Sequence, residues 1–173
     1  SLQYEIMIQC FANITFLAIP AILMANNSTN SIAISELIGV GLWATWFVLE
    51  HISDLQKQQF LKKAFLEKKK KQVCNVGFWK YTRHPNYFSE WMVWNAMIIS
   101  SLSSLIIAFS TDQQVVWIII VVGLFYISYI MYTTLVYYTG AVPSEFYTLQ
   151  KRPNYKAYQE QTNMFFPGPK KLN

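Results

Sequence analysis

GFWKYTRHPNYFSE, residues Gly77–Glu90, crowds Lys80, Tyr81, Arg83, His84, Asn86, Tyr87 and Glu90 directly ahead of a long apolar run. Pro85 presets φ for a first helical turn and has no N–H to leave unpaired, so a helix is expected to begin there. Arg83 and His84, just upstream of that turn, would make an anion site suited to a phosphate or diphosphate. Counting from Asn86, Glu90 lies one turn on along the same face, so an amide and a carboxylate can meet one ligand. The plainer reading is an interfacial belt, with Trp79, Tyr81 and Tyr87 at headgroup level and Lys80 and Arg83 snorkelling. The polar residues here are too dense, and too many are short, for snorkelling alone.

Outward from the motif, composition sets the class. The 173 residues are 53% hydrophobic, 17% aromatic and only 13% charged, oilier than an ordinary soluble domain. The net charge of +5 is no nucleic-acid signature, because the basic residues border membrane-length segments. Two cysteines, Cys10 and Cys74, offer neither metal spacing nor a disulfide framework. His51 has no companion at ligand spacing, so no metal site is expected. No positive region precedes the first apolar run, so no cleavable signal peptide is expected.

The expected fold is all-α: a polytopic membrane protein forming a single membrane domain over residues 1–173. Four spans are read at about 4–24, 32–52, 88–109 and 115–138, each long enough for a hydrocarbon core of about 30 Å. Ser53–Val73 alternates Asp54, Lys57, Lys62, Lys63 and Glu67 with Leu55, Phe60, Leu61, Phe65 and Leu66. That pattern is an amphipathic juxtamembrane helix, or a continuation of the second span. The tail, 139–173, is polar and tyrosine-rich, its helices limited by Pro153, Pro167 and Pro169.

All fourteen Lys and Arg fall between Lys57 and Arg83 or between Lys151 and Lys171. With four spans both regions share one side. The positive-inside rule then places motif and tail on the cytoplasmic side, or the matrix side of a mitochondrial inner membrane; an endoplasmic reticulum location fits equally.

Candidate chemistry gathers around the motif. Glu50, Asp54 and Gln58 follow one another at i, i+4 spacing, so two carboxylates could fix a ribose hydroxyl or an amide. A solvated helix end explains the same pattern, except that an intramembrane Glu50 needs a partner. In the tail, Tyr155 and Tyr158 with Lys151 or Arg152 could close over an anion held at Arg83. A surface-lying amphipathic helix is the alternative.

Three blocks carry a family resemblance: LEHISDLQKQQF, GFWKYTRHPNYFSE and KRPNYKAYQEQTNMFFP, in that order, within a match from about Tyr4 to Pro169. Together they resemble the steroid 5α-reductase C-terminal type of membrane protein, including its bacterial and algal branch of unknown function. The resemblance implies NADPH held in a helical bundle and donating hydride to an enone of a steroid- or lipid-like substrate. By the same resemblance Asp54, Tyr81, Asn86 and Glu90 match cofactor-pocket positions. Arg83, His84, Tyr87, Tyr147, Lys151, Arg152 and Tyr155 are further expected contacts; no catalytic residue is assigned. The chain begins at what would be the family's fourth span. The groups that polarise the substrate are expected upstream, so upstream helices or a partner chain would complete the bundle. Glu50, where the steroid reductases carry an amide, is a further departure.

Two other functions stay open. A non-catalytic accessory subunit of a larger membrane complex, for example a mitochondrial one, would keep the fold without the substrate half. A more distant similarity, through the Arg-His-Pro-x-Tyr pattern, is to isoprenylcysteine carboxyl methyltransferases, which bind S-adenosylmethionine. Those carry paired glutamates after the last span, where Glu145 here stands alone between Ser144 and Phe146. The expected partners are therefore the lipid bilayer, a lipid-like substrate and further subunits, with no nucleic acid.

Overall fold

Pro85 opens a helix, as its place in the motif predicts. The computed structural model describes residues 18–171 apart from 28, 30, 70, 110–112 and 153, together with Gln3 and Met7. Every regular element among them is helical: α1 (Ile19–Ala25), α2 (Ile34–Leu66), a 3-10 turn (Gly77–Lys80), α3 (Pro85–Ile107) and α4 (Gln114–Thr133). A π turn (Thr134–Tyr138), α5 (Ala141–Lys151) and α6 (Tyr155–Gln161) follow.

Two stretches are long and apolar enough to cross a membrane: α3 and the run Gln114–Lys151. At about 1.5 Å per residue, the 23 residues of α3 reach about 35 Å, enough for a hydrocarbon core. The 38 residues of the second run would reach about 57 Å, far more than one crossing needs. Its apolar part ends with the π turn at Tyr137 and Tyr138, and bends at Thr139 and Gly140 separate it from α5. The polar residues of α5 thus lie beyond the span. Most side chains of α4 other than Leu124 and Ile127 are at least partly exposed, Phe125 being 74% exposed, as suits a lipid-solvated helix.

The helix α2 takes the second of the two forms expected after Ile52, a continuation of the preceding helix. It runs unbroken for 33 residues, so the amphipathic stretch after Ile52 continues the helix as far as Leu66. It is not among the helices apolar enough to cross a membrane, because Glu36, Glu50 and His51 interrupt it and Gly, Trp and Thr dilute it. Most of the stretch 4–24 lies outside the described residues; α1 is its described end.

The chain divides into two compact units, residues 1–44 with 93–131, and residues 45–92 with 132–173. In the first, Leu23, Leu105, Leu124 and Ile127 form a buried apolar cluster. Helices α2 and α3 meet there through small residues. A Cβ on Gly39 would stand 2.6 Å from the Ser100 backbone nitrogen, and Ser35 Oγ lies 2.6 Å from Ser103 Oγ. Close backbone approach of this kind is how apolar helices pack without a hydrophobic driving force between them. Glu36 turns back to accept from the Ala33 N–H (3.0 Å), so its charge is spent on the start of α2.

The second unit holds the motif and the tail, and the tail does not lie apart as a surface helix. Arg83 N–H bonds Asn163 O, Gly168 N–H bonds Tyr81 O, and Thr82 Oγ1 donates toward Phe165 O at 2.9 Å. Phe165 and Phe166 then pack edge-on against Phe88 and Trp91 of α3.

Candidate functional site

The site begins with a turn. Gly77 has φ +53°, the left-handed region, and a Cβ there would meet the Gln56 side chain at 2.2 Å. Glycine takes this turn without strain, and the turn lets the Phe78 N–H reach Gln56 Oε1 (2.9 Å) while Trp79 Nε1 donates to Ser53 O (2.9 Å). The motif is thereby tied to α2. On its other side Tyr158 donates its hydroxyl proton to Trp79 O.

Between these ties sits Arg83, buried and aimed at the tail. Its Nε and Nη2 meet Glu145 Oε1 and Oε2 at 2.6 and 3.1 Å, a fork on a fork. Nη1 donates to Gln159 O (2.9 Å) and Thr162 O. Four of the five guanidinium donors are thus committed to protein. Arg83, expected to meet a phosphate, is instead the counter-ion of Glu145.

Glu145 collects the cluster. Besides Arg83 it accepts from His84 Nε2 (3.0 Å), Tyr155 OH (3.3 Å) and Gln159 Nε2. Burial works against its charged form. The hydrogen bonds from His84, Arg83 and Gln159, and the guanidinium charge, more than offset that and hold the carboxyl down at about 2. Burial is also the largest influence on His84 and lowers its pKa despite the carboxylate beside it. His84 is therefore a neutral imidazole that gives its Nε2 proton to an ionised acid. Its ring stacks on Tyr87, 5.3 Å between centroids and 6° from parallel. Burial, then Glu145, pushes the Tyr155 phenol far up, so that it stays a donor.

A second group lies toward α2 and α3. Glu50, Asp54 and Glu90 are near enough to feel one another's charge, and Asp54 and Glu90 bear on Tyr87. Asn86 Oδ1 is buried with no hydrogen-bond partner among the described residues. Asn86 Oδ1 is thus an acceptor in want of a donor. Beside these residues an apolar cavity of about 280 Å³ takes in Trp46, Phe78, Tyr81, Pro85 and Phe88, but neither Asp54 nor Glu90.

Of the remaining expected contacts, Tyr81 and Tyr147 are 55% and 60% exposed, and Lys151 is exposed. Arg152 is half-buried and borders a small cavity with Lys57. The expectation of no metal concerned His51; no cluster of His, Cys, Asp and Glu able to hold a metal occurs among the described residues. Glu145 is the functional residue that sequence reasoning passed over. Its only signal was to be one of two acids in the tail, with Glu160, beside a motif whose arginine needs a counter-charge.

Residues 3–162 match the profile of a family described as a protein of unknown function, DUF1295. The chain belongs to that family. No curated protein and no solved structure matches the chain. The family match spans the Glu145–Arg83–His84 cluster, the three mutually close carboxylates and Asn86, so both groups belong to the shared domain.

Proposed function

We propose that this member of the DUF1295 family is a membrane-embedded, NADPH-dependent reductase-like protein acting on a carbon–carbon double bond of a steroid- or lipid-like substrate. In this reading it is completed by upstream helices or a partner chain. The single observation that carries it is Asn86 Oδ1, buried with no hydrogen-bond partner among the described residues, one helical turn before Glu90, which in turn feels the charge of Asp54. Ribose hydroxyls and a nicotinamide carboxamide are donors that fit such a group, and a buried acceptor left alone costs about 1–3 kcal/mol. Asp54, Asn86, Glu90 and Tyr81 would hold the polar part of the dinucleotide, and Arg152 would neutralise its phosphates. Bound NADPH would supply hydride; the protein's part is placement.

The topology in this proposal has four spans, adding α2 and the segment that ends in α1 to the two apolar stretches. Motif and tail share the cytoplasmic or matrix side, since all fourteen Lys and Arg sit there. A second reading, an accessory subunit of a larger membrane complex, is favoured by one observation. Arg83 is neutralised within the chain by Glu145, so that cation needs no ligand.

Detergent-purified protein incubated with NADPH, washed, and analysed by native mass spectrometry tests the first reading. Retained NADPH, lost on Asn86→Leu, supports it. Retention of S-adenosylmethionine instead would point to a methyltransferase, and retention of neither in the full assembly would leave the accessory role.

A further inference from the structure

We propose that two adjoining cavities beside the motif bind an anionic membrane phospholipid, one taking an acyl chain and the other the headgroup. The first is the apolar cavity of about 280 Å³, walled by Trp46, Leu49, Phe78, Phe88 and Pro167. The second, of about 310 Å³, is lined by Asn75, Lys80 and Lys170. Tyr81, 55% exposed, borders both. Asp54, Asn86, Glu90 and Arg152 border neither, so apart from Tyr81 the site is distinct from the residues proposed to hold the dinucleotide.

The first cavity suits hydrocarbon. Two of the hydroxyls on its wall are spent on backbone carbonyls: Ser53 Oγ donates to Leu49 O (2.7 Å), and Thr82 Oγ1 donates toward Phe165 O (2.9 Å). An apolar cavity of about 150 Å³ already takes up benzene and stays dry without it. This one has nearly twice that volume, room for a run of methylenes. Its aromatic wall is fixed in advance, because Phe88 packs edge-on against Trp46, Phe165 and Phe166. Phe88 also lies in the first turn of α3, a helix long and apolar enough to cross a membrane. The cavity therefore sits at the end of that stretch, the level at which lipid chains meet their headgroups.

The second cavity suits an anion. The tail is strapped across the motif by Gly168 N–H to Tyr81 O (3.0 Å) and Lys171 N–H to Gln161 O (2.9 Å), which brings Lys170 to the cavity that Lys80 borders. Neither lysine has a carboxylate within 4.0 Å among the described residues. Two ammonium groups set around one cavity repel each other until an anion stands between them, and basic pockets at the membrane surface hold anionic headgroups in this way. The short strap Pro167–Lys170 gives a proline to the apolar wall and a lysine to the polar one. A soluble anion would use the second cavity alone and an uncharged lipid the first alone. An anionic phospholipid uses both.

The probe is palmitoyl-oleoyl phosphatidylglycerol, added to the detergent-purified full chain and counted by native mass spectrometry against phosphatidylcholine with the same chains. Phosphatidylglycerol should be retained at least about fivefold better. Lys80→Gln and Lys170→Gln, both at exposed positions, should each cut that retention about fivefold, the worth of one lysine beside an anionic headgroup. Lys62→Gln, an exposed cation on α2, should leave it unchanged. Leu49→Phe, which puts a larger ring on the apolar wall, should lower retention of the long-chain lipid but not of dihexanoyl phosphatidylglycerol, with thermal shift confirming the fold. Equal retention of the two headgroups overturns the site, as does full retention in both lysine variants. So does a loss in Lys62→Gln as large as theirs, or a dihexanoyl lipid held as tightly as the long-chain one. The site does not rest on the reductase reading: NADPH should be retained equally by wild type, Lys80→Gln and Lys170→Gln, so either idea can fail while the other stands.

Discussion

Replacing Glu145 by Gln tests the cluster most directly. The side chain keeps its shape and one acceptor oxygen but loses the charge. Arg83 would then be a buried guanidinium, 8% exposed, with two backbone carbonyls and no counter-ion. Removing one partner of a buried pair costs about 3–5 kcal/mol, far above the 0–1 kcal/mol of a surface pair. His84, Tyr155 and Gln159 would also share a poorer acceptor. The loss should therefore sit at the upper part of that range. Denaturant melts of the purified protein measure it, with Arg83→Met and the double variant Arg83→Met/Glu145→Met completing a cycle. The double variant should be more stable than either single one, because it leaves no unpaired charge. A loss below about 1 kcal/mol for Glu145→Gln would refute the reasoning, by showing that water reaches the pair and screens it.

Two further outcomes follow from the same structure. The Glu145 carboxyl is depressed in the folded state from 4.5 to about 2, so its contribution is present above pH 4.5 and is lost as pH falls toward 2. Stability of the wild type should decline through that window and that of Glu145→Gln should decline less; parallel declines would count against the assignment. For topology, a C-terminal tag and a Thr29→Cys label should be accessible from opposite sides of sealed vesicles, and accessibility from one side would rule out the four-span arrangement.

Local chemistry along the chain determined where helices start and what they are made of. Pro85 has no N–H to satisfy and a φ already set, so it opens α3 wherever the rest of the chain goes. The apolar runs after it and after Gln114 are helices for equally local reasons, and the grouping of every Lys and Arg needs no fold to be seen. The three blocks that carry the resemblance were legible for the same reason: they are short and contiguous.

Partner choice was not local. The motif offered Lys80 and Glu90 as near neighbours for its charges, and Arg83 looked free to bind a phosphate. Only the folded tail brings Glu145, 62 residues away, onto the guanidinium, together with the carbonyls of Gln159 and Thr162. That closure changes which cations remain. Arg83 becomes a structural clasp, while Lys57 and Arg152, 95 positions apart (152 − 57), border one cavity and have no carboxylate within 4.0 Å among the described residues. The sequence determines which charges exist, but burial and geometry decide which of them are neutralised. Coulomb energy depends on separation in space and on the surrounding dielectric, and neither is a function of distance along the chain.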